Sequence, residues 1–257
     1  KPVLFDKDRI GFNRTTDSLI KGCEGNVTPD YYKVISVGFD ELLNQLEENK
    51  PKFTDKYNLD FAKAVKDCVN IVYEISDSYR EYAKEHNCTE LYNALCNIPR
   101  KGAKDFYEAI VFLKLSLYSL RCCMNYHLTL GRFDQYMYPF YLESKRNGVS
   151  DEEIFELIEE FFISINFDTD LYPGMQLGDN GQSMVLAGFD KDGNSMYNEL
   201  SKMCIEASLE LSLIDPKINL RVGKNTPDEL YVLGTRLTKA GLGFPQYSND
   251  DVVVPGL

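Results

Sequence analysis

The side chains able to do chemistry are unevenly supplied. Seven cysteines stand at positions 23, 68, 88, 96, 122, 123 and 204, an odd number with no CxxC spacing, against two histidines, His86 and His127. Such spacing indicates neither a disulfide framework nor a zinc site, so reduced thiols are the default. Two histidines leave little for a histidine-based metal site or a hydrolytic triad, and no metal ligand set or catalytic residue is assigned within the chain. Ordinary acid-base work would have to rest on carboxylates or tyrosines. Asn26 stands just before a helix start, where backbone N–H groups attract polar or anionic ligands, although it could equally shape a turn. Gln182 and Ser183 head a segment of strand character, and alternation along a strand sends only one of two neighbours into any cavity. Phe244 and Tyr247 could wall a cavity with aromatic surface.

These groups must be held by a scaffold, and the apolar spacing predicts one. Tyr32, Ile35, Phe39, Leu42, Leu43 and Leu46 recur at helical intervals from Pro29 to Glu48, after a start at Thr28-Pro29-Asp30 with proline at the first helical position. A longer pattern runs from Phe61 to His86, and a short helix from Thr89 to Cys96 stops before Pro99. From Asp105 to about Leu130 the apolar density predicts a helix buried on most sides. Ser150 with Glu153 three residues on predicts a capping box for a helix reaching Asn166. From residue 182 the pattern alternates: a strand over Gln182–Phe189, a turn at Asp190–Asn194, a helix over Tyr197–Leu211, a strand over Lys217–Val222, a helix over Thr226–Ala240, and an extended stretch from Phe244. The expected class is α/β with a large helical part, mainly helical over 1–170 and alternating over 171–257, in a single unit.

Composition narrows the partners. The 257 residues carry 40 acidic and 28 basic groups, a net charge of −12 that opposes binding to a phosphate backbone. No stretch approaches the roughly 20 apolar residues a membrane span needs, and Lys1–Asp8 lacks a signal peptide's apolar core. The expectation is a soluble, cytoplasmic protein without a nucleic-acid or membrane partner.

Five segments, in order, resemble glycyl radical enzymes of the pyruvate formate-lyase-like family. They are Gly25–Tyr31 (GNVTPDY), Gly131–Tyr141 (GRFDQYMYPFY), Gly178–Asp190 (GDNGQSMVLAGFD), Asp215–Val222 (DPKINLRV) and Gly243–Asp251 (GFPQYSNDD). The resemblance implies the N-terminal portion of a ten-stranded α/β barrel built from two half-barrels, with a reactive cysteine on one inner loop and a radical-bearing glycine on another. It implies no bound cofactor, a radical installed by a radical-SAM activating enzyme, a small-molecule substrate and a homodimer. Holding substrate and sulfur at near-attack distance in a closed site is what lets a thiyl radical abstract hydrogen without diversion by solvent. In the family both the cysteine and the glycine follow the segment matching Phe244–Asp251, so both are expected beyond Leu257, and the piece alone is not expected to turn over substrate.

Residue by residue, the resemblance makes Asn26, Gln182, Ser183, Phe244 and Tyr247 substrate-binding candidates. At Asn26 the pyruvate enzyme carries arginine and the diol dehydratases histidine, so asparagine departs from both and weakens the case for a carboxylate held there. Together with the segment GDNGQS, this favours a dehydratase or lyase over formate acetyltransferase. Cys122 and Cys123 lie in the wrong motif context to be that enzyme's neighbouring cysteine pair, and read as core residues. Arg132 and Asp134 are expected in a buried polar network, Tyr136, Tyr138 and Tyr141 as packing with polar tips, and His127 in the core. Two rival readings stand beside this one: a catalytically dead homologue serving as a binding or assembly protein, and an unrelated helical module, which requires that 182–189 and 217–222 not be strands.

Overall fold

The computed structural model describes residues 28–122, 128–167 and 181–256. Helix α1, Tyr31–Asn49, is capped by Asp30, whose carboxylate accepts from Lys33 N at 3.1 Å, so Pro29 precedes the cap instead of occupying the first helical position. Helix α2, Lys56–Glu85, begins over a turn earlier than its apolar pattern, because Asp55 accepts from Asn58 N at 2.8 Å and fixes the first turn. Helix α3 spans Thr89–Leu95.

Helix α4, Phe106–Cys122, buries Phe106, Ala109, Ile110, Phe112, Leu113 and Leu117. The described residues resume at Leu128, and Leu130 is not helical. Leu130 and Gly131 pair instead with the segment at 183–185, Leu130 N donating to Ser183 O at 2.7 Å and Val185 N to Gly131 O at 2.8 Å. The helical periodicity there was overridden by pairing with a strand. Two short helices follow, α5 (Phe133–Tyr136) and α6 (Tyr138–Arg146), then α7 (Asp151–Asn166). Helix α7 starts with the capping box expected of Ser150 and Glu153. Helix α4 touches α1, α2, α3, α6 and α7 and so forms the middle of the helical layer. Ser150→Ala should cost about 1 kcal/mol of stability, measured by urea unfolding, since it removes one side of the box.

The second half is a parallel sheet of three strands, β1 (Ser183–Ala187), β2 (Lys217–Val222) and β3 (Gln246–Asn249), in the order β1-β2-β3. Helices α8 (Glu199–Leu211) and α9 (Asp228–Ala240) make the crossovers that parallel neighbours require, and α10 (Asp250–Val253) follows β3. The register pairs Ser183 with Lys217, Val185 with Asn219, Ala187 with Arg221, Asn219 with Gln246, and Arg221 with Ser248. Strands at 183–187 and 217–222 dispose of the purely helical module. Met184, Leu186, Ile218, Leu220 and Val222 are buried in one core with Leu200, Cys204, Ile205, Leu230, Leu233 and Leu237 of α8 and α9. Among the described residues no helix is long and apolar enough to cross a membrane.

Candidate substrate-facing wall

Period-two alternation splits the sheet into an apolar face and a polar one. With one face covered by α8 and α9, the other carries Ser183 and Val185 from β1, Lys217, Asn219 and Arg221 from β2, and Gln246 and Ser248 from β3. These residues are partly exposed, and Gln246 is fully so. The sequence shows the same row in Lys217-Ile-Asn-Leu-Arg-Val222, where every second residue is polar. Asn219 and Gln246 were not among the expected site residues; the alternation marks Asn219, and the pairing of β3 with β2 brings Gln246 beside it.

The five expected binding residues are scattered by the fold. Ser183 lies on the polar face. Gln182, wholly buried, turns the other way, its side-chain amide facing the Arg121 guanidinium of α4. Phe244 is part of the hydrophobic core. Tyr247 pairs with Leu220 on the helix-covered face, its hydroxyl seated against Gly234 of α9, where a Cβ would come within 2.5 Å of it. Asn26 lies outside the described residues, as do Cys123 and His127. Cys122 is half-buried in the last turn of α4. Of the tyrosines, Tyr138 donates to Glu199 at 2.7 Å and Tyr141 to Asp151 at 3.0 Å, while Tyr136 packs its ring 5.7 Å from that of Tyr31.

Arg132 and Asp134 meet on the backbone of Ala187. Asp134 Oδ2 accepts from Ala187 N at 2.6 Å and from Ser201 Oγ at 2.5 Å, and Arg132 donates to Ala187 O at 3.0 Å. Burial pushes the Asp134 carboxyl up to about 6, against the pull of those hydrogen bonds and of Arg132. A carboxyl whose folded value lies above its ordinary 3.8 adds stability that is complete below that value and lost as pH rises through about 6. The parent should therefore exceed Asp134→Asn in stability by more at pH near 4.5 than at pH near 7, read from urea midpoints at each pH. A margin that stays constant or shrinks toward acid would show Asp134 ionised in the fold without penalty.

Among the described residues, no group of three or more histidines, cysteines or carboxylates is placed to hold a metal. Ser183, Asn219, Gln246 and Ser248 give this face neutral hydrogen-bonding groups beside Val185 and Lys217, and its arginine is already occupied: Arg221 Nε donates to Asp250 Oδ1 at 2.8 Å and Nη2 lies 2.8 Å from Oδ2. Such a wall can orient hydroxyls and carbonyls. Neutral amides and a hydroxyl move no proton at ordinary pH.

Comparison with known proteins agrees with this architecture. A family model described as pyruvate formate lyase-like matches residues 15–257. The chain is 24% identical to a (2S)-3-sulfopropanediol dehydratase of Klebsiella oxytoca over 91% of its own length and 31% of that protein. It is 23% identical to the glycyl radical subunit of a 4-hydroxyphenylacetate decarboxylase of Clostridium scatologenes, over 88% of this chain and 28% of the relative. Its fold superposes on the glycerol-bound B12-independent glycerol dehydratase of Clostridium butyricum with a TM-score of 0.77 and 26% identity, covering 91% of this chain and 32% of that one. The chain thus spans about a third of the length of the relatives it matches. With the family model covering nearly all of it, the chain belongs to the pyruvate formate lyase-like family of glycyl radical enzymes.

Proposed function

We propose that this chain forms one wall of the substrate cavity in a glycyl radical dehydratase or lyase acting on a small hydroxylated molecule. The observation that carries the reading is the polar row on one face of a parallel sheet whose other face is sealed by helices. A glycyl radical, installed by a radical-SAM activating enzyme, would supply the hydrogen-atom acceptor that converts a cysteine thiol into the thiyl radical able to take a hydrogen atom from the substrate. Within this chain Ser183 Oγ both donates to and accepts from a substrate hydroxyl, Asn219 and Gln246 add amide contacts in the next two strands, and the apolar layer behind them excludes water.

Two observations favour this over formate acetyltransferase. The Arg221 fork is engaged by Asp250 and so is not presented to a carboxylate, and relatives that match the chain carry the names of dehydratases and decarboxylases. The same reading takes the whole protein as a cytoplasmic homodimer.

The test is anaerobic activation of the protein of the complete reading frame by a radical-SAM activating enzyme. A glycyl radical doublet in the EPR spectrum together with release of water from a 1,2-diol or a related hydroxylated compound is expected. Exchange of labelled formate into pyruvate would assign the acetyltransferase instead, and failure to form the radical would favour the non-catalytic assembly role.

A further inference from the structure

At the carboxyl ends of the strands, charged side chains from separate segments join in one line. Ala187 is a non-glycine residue at φ +60°, and both of its backbone groups are held by the same motif, N–H by Asp134 and C=O by Arg132. That is what keeps a side-chain-bearing residue in the left-handed region. The next residue, Gly188, is at φ +91°, and a Cβ there would lie 3.0 Å from Arg221 Nε and 3.1 Å from Arg221 Cζ. A Cβ here would push the Arg221 side chain away by a few tenths of an ångström and would strain a backbone at φ +91°. From there Arg221 reaches Asp250, just past β3: Nε donates to Oδ1 at 2.8 Å and Nη2 lies at ion-pair distance, 2.8 Å, from Oδ2, with the two side chains 23% and 8% exposed. Asp250 opens α10, and the following Asp251 accepts from Lys224 N at 2.7 Å, just past the end of β2. Arg132 also feels Arg221 directly, since burial and that second guanidinium together draw it below its usual range while Asp134 and Asp250 oppose them.

We propose that Arg221 is a positioning residue that links the Gly131–Gln135 motif, through the Ala187–Gly188 turn, to Asp250, and thereby sets the direction in which the chain leaves β3. The motif then acts at a distance on the rim of the sheet without touching a ligand, and this holds whichever substrate the site takes. Arginine is required for the geometry, because a planar two-pronged donor fixes a carboxylate in orientation as well as position, whereas a lysine ammonium supplies charge alone.

Residue-resolved amide hydrogen exchange on the chain tests this from both sides of one contact. Gly188→Ala displaces the guanidinium from below, and Arg221→Lys keeps the charge but removes the fork. Each should raise exchange at Lys224 and Asp251 by about tenfold, while Cys204–Ser208 in α8 stay within about twofold, as expected for a local opening. Asp134→Asn should speed Ala187 and also disturb Asp251, two links away. The proposal is overturned if Arg221→Lys leaves Lys224 and Asp251 protected, if Gly188→Ala or Asp134→Asn alters only residues near 186–190, or if exchange rises uniformly through sheet and helices. Should Gly188→Ala fail to fold, Arg221→Lys decides.

Discussion

Gly38→Ala is expected to abolish stable folding. Gly38 sits inside α1 with φ +79° and ψ 167°, a break in the helix made where the segment around Pro99 crosses it. Phe39 N donates to Pro99 O and Asp40 N to Arg100 O, both at 2.9 Å, so this segment supplies the acceptors that the broken turn lacks. A Cβ at residue 38 would lie within 2.5 Å of Arg100 O and against the backbone of Lys101. Backbone cannot yield as a side chain does, so we expect a loss of about 4 kcal/mol or more, comparable to the whole stability of a marginal domain. Gly148→Ala is the control. Its φ is +86° but nothing lies within 4 Å of the added carbon, so the cost should be confined to backbone strain, about 1 kcal/mol. Circular dichroism and urea unfolding of the two variants separate crowding from conformation. Equal losses would show that the close approach of the two segments is not what requires glycine at 38.

Ser183→Ala is expected to lower kcat/KM of the complete, activated enzyme by about 10- to 100-fold, the loss that follows when a buried substrate hydroxyl loses its partner. Stability should change little, because Ser183 lies partly exposed on the polar face and outside the core. Gln182→Ala should do the reverse. It leaves the buried Arg121 without that amide and so destabilises the fold, with activity falling only as folded protein is lost. The two variants are neighbours in sequence, and their opposite signatures follow from the alternation that separates them. Equal effects on kcat/KM would place both in the cavity.

What could be read from the sequence is what local patterning controls. The β2 boundaries, Lys217 to Val222, match because apolar and polar residues alternate there without interruption. The capping box at Ser150 is legible because it is made by residues three apart. The errors have one physical origin, contacts between distant segments. Gly38 interrupts α1 because of residues some sixty positions away, and a single break leaves the helical period of the flanking residues unchanged. Leu130 continues an apolar run but is not helical, its amide donating to Ser183 O. The placement of Phe244 in the core and of the Tyr247 hydroxyl against Gly234 of α9, with Tyr247 still 45% exposed, is likewise set by distant segments and not by local pattern. At the site, the resemblance pointed to Ser183 and the alternation of β2 marks Asn219, while Gln246 emerges only once the register sets it beside Asn219.

In the proposed function the polar face of the three-stranded sheet touches the substrate. The most direct measurement is a crystal structure of the complete enzyme with its substrate bound. The account predicts Ser183 Oγ within hydrogen-bonding distance of a substrate hydroxyl, about 2.6–3.2 Å, with Asn219 or Gln246 beside it and neither Gln182 nor Tyr247 in contact. A substrate held by Gln182 or Tyr247, or seated among the helices away from β1 and β2, would contradict it.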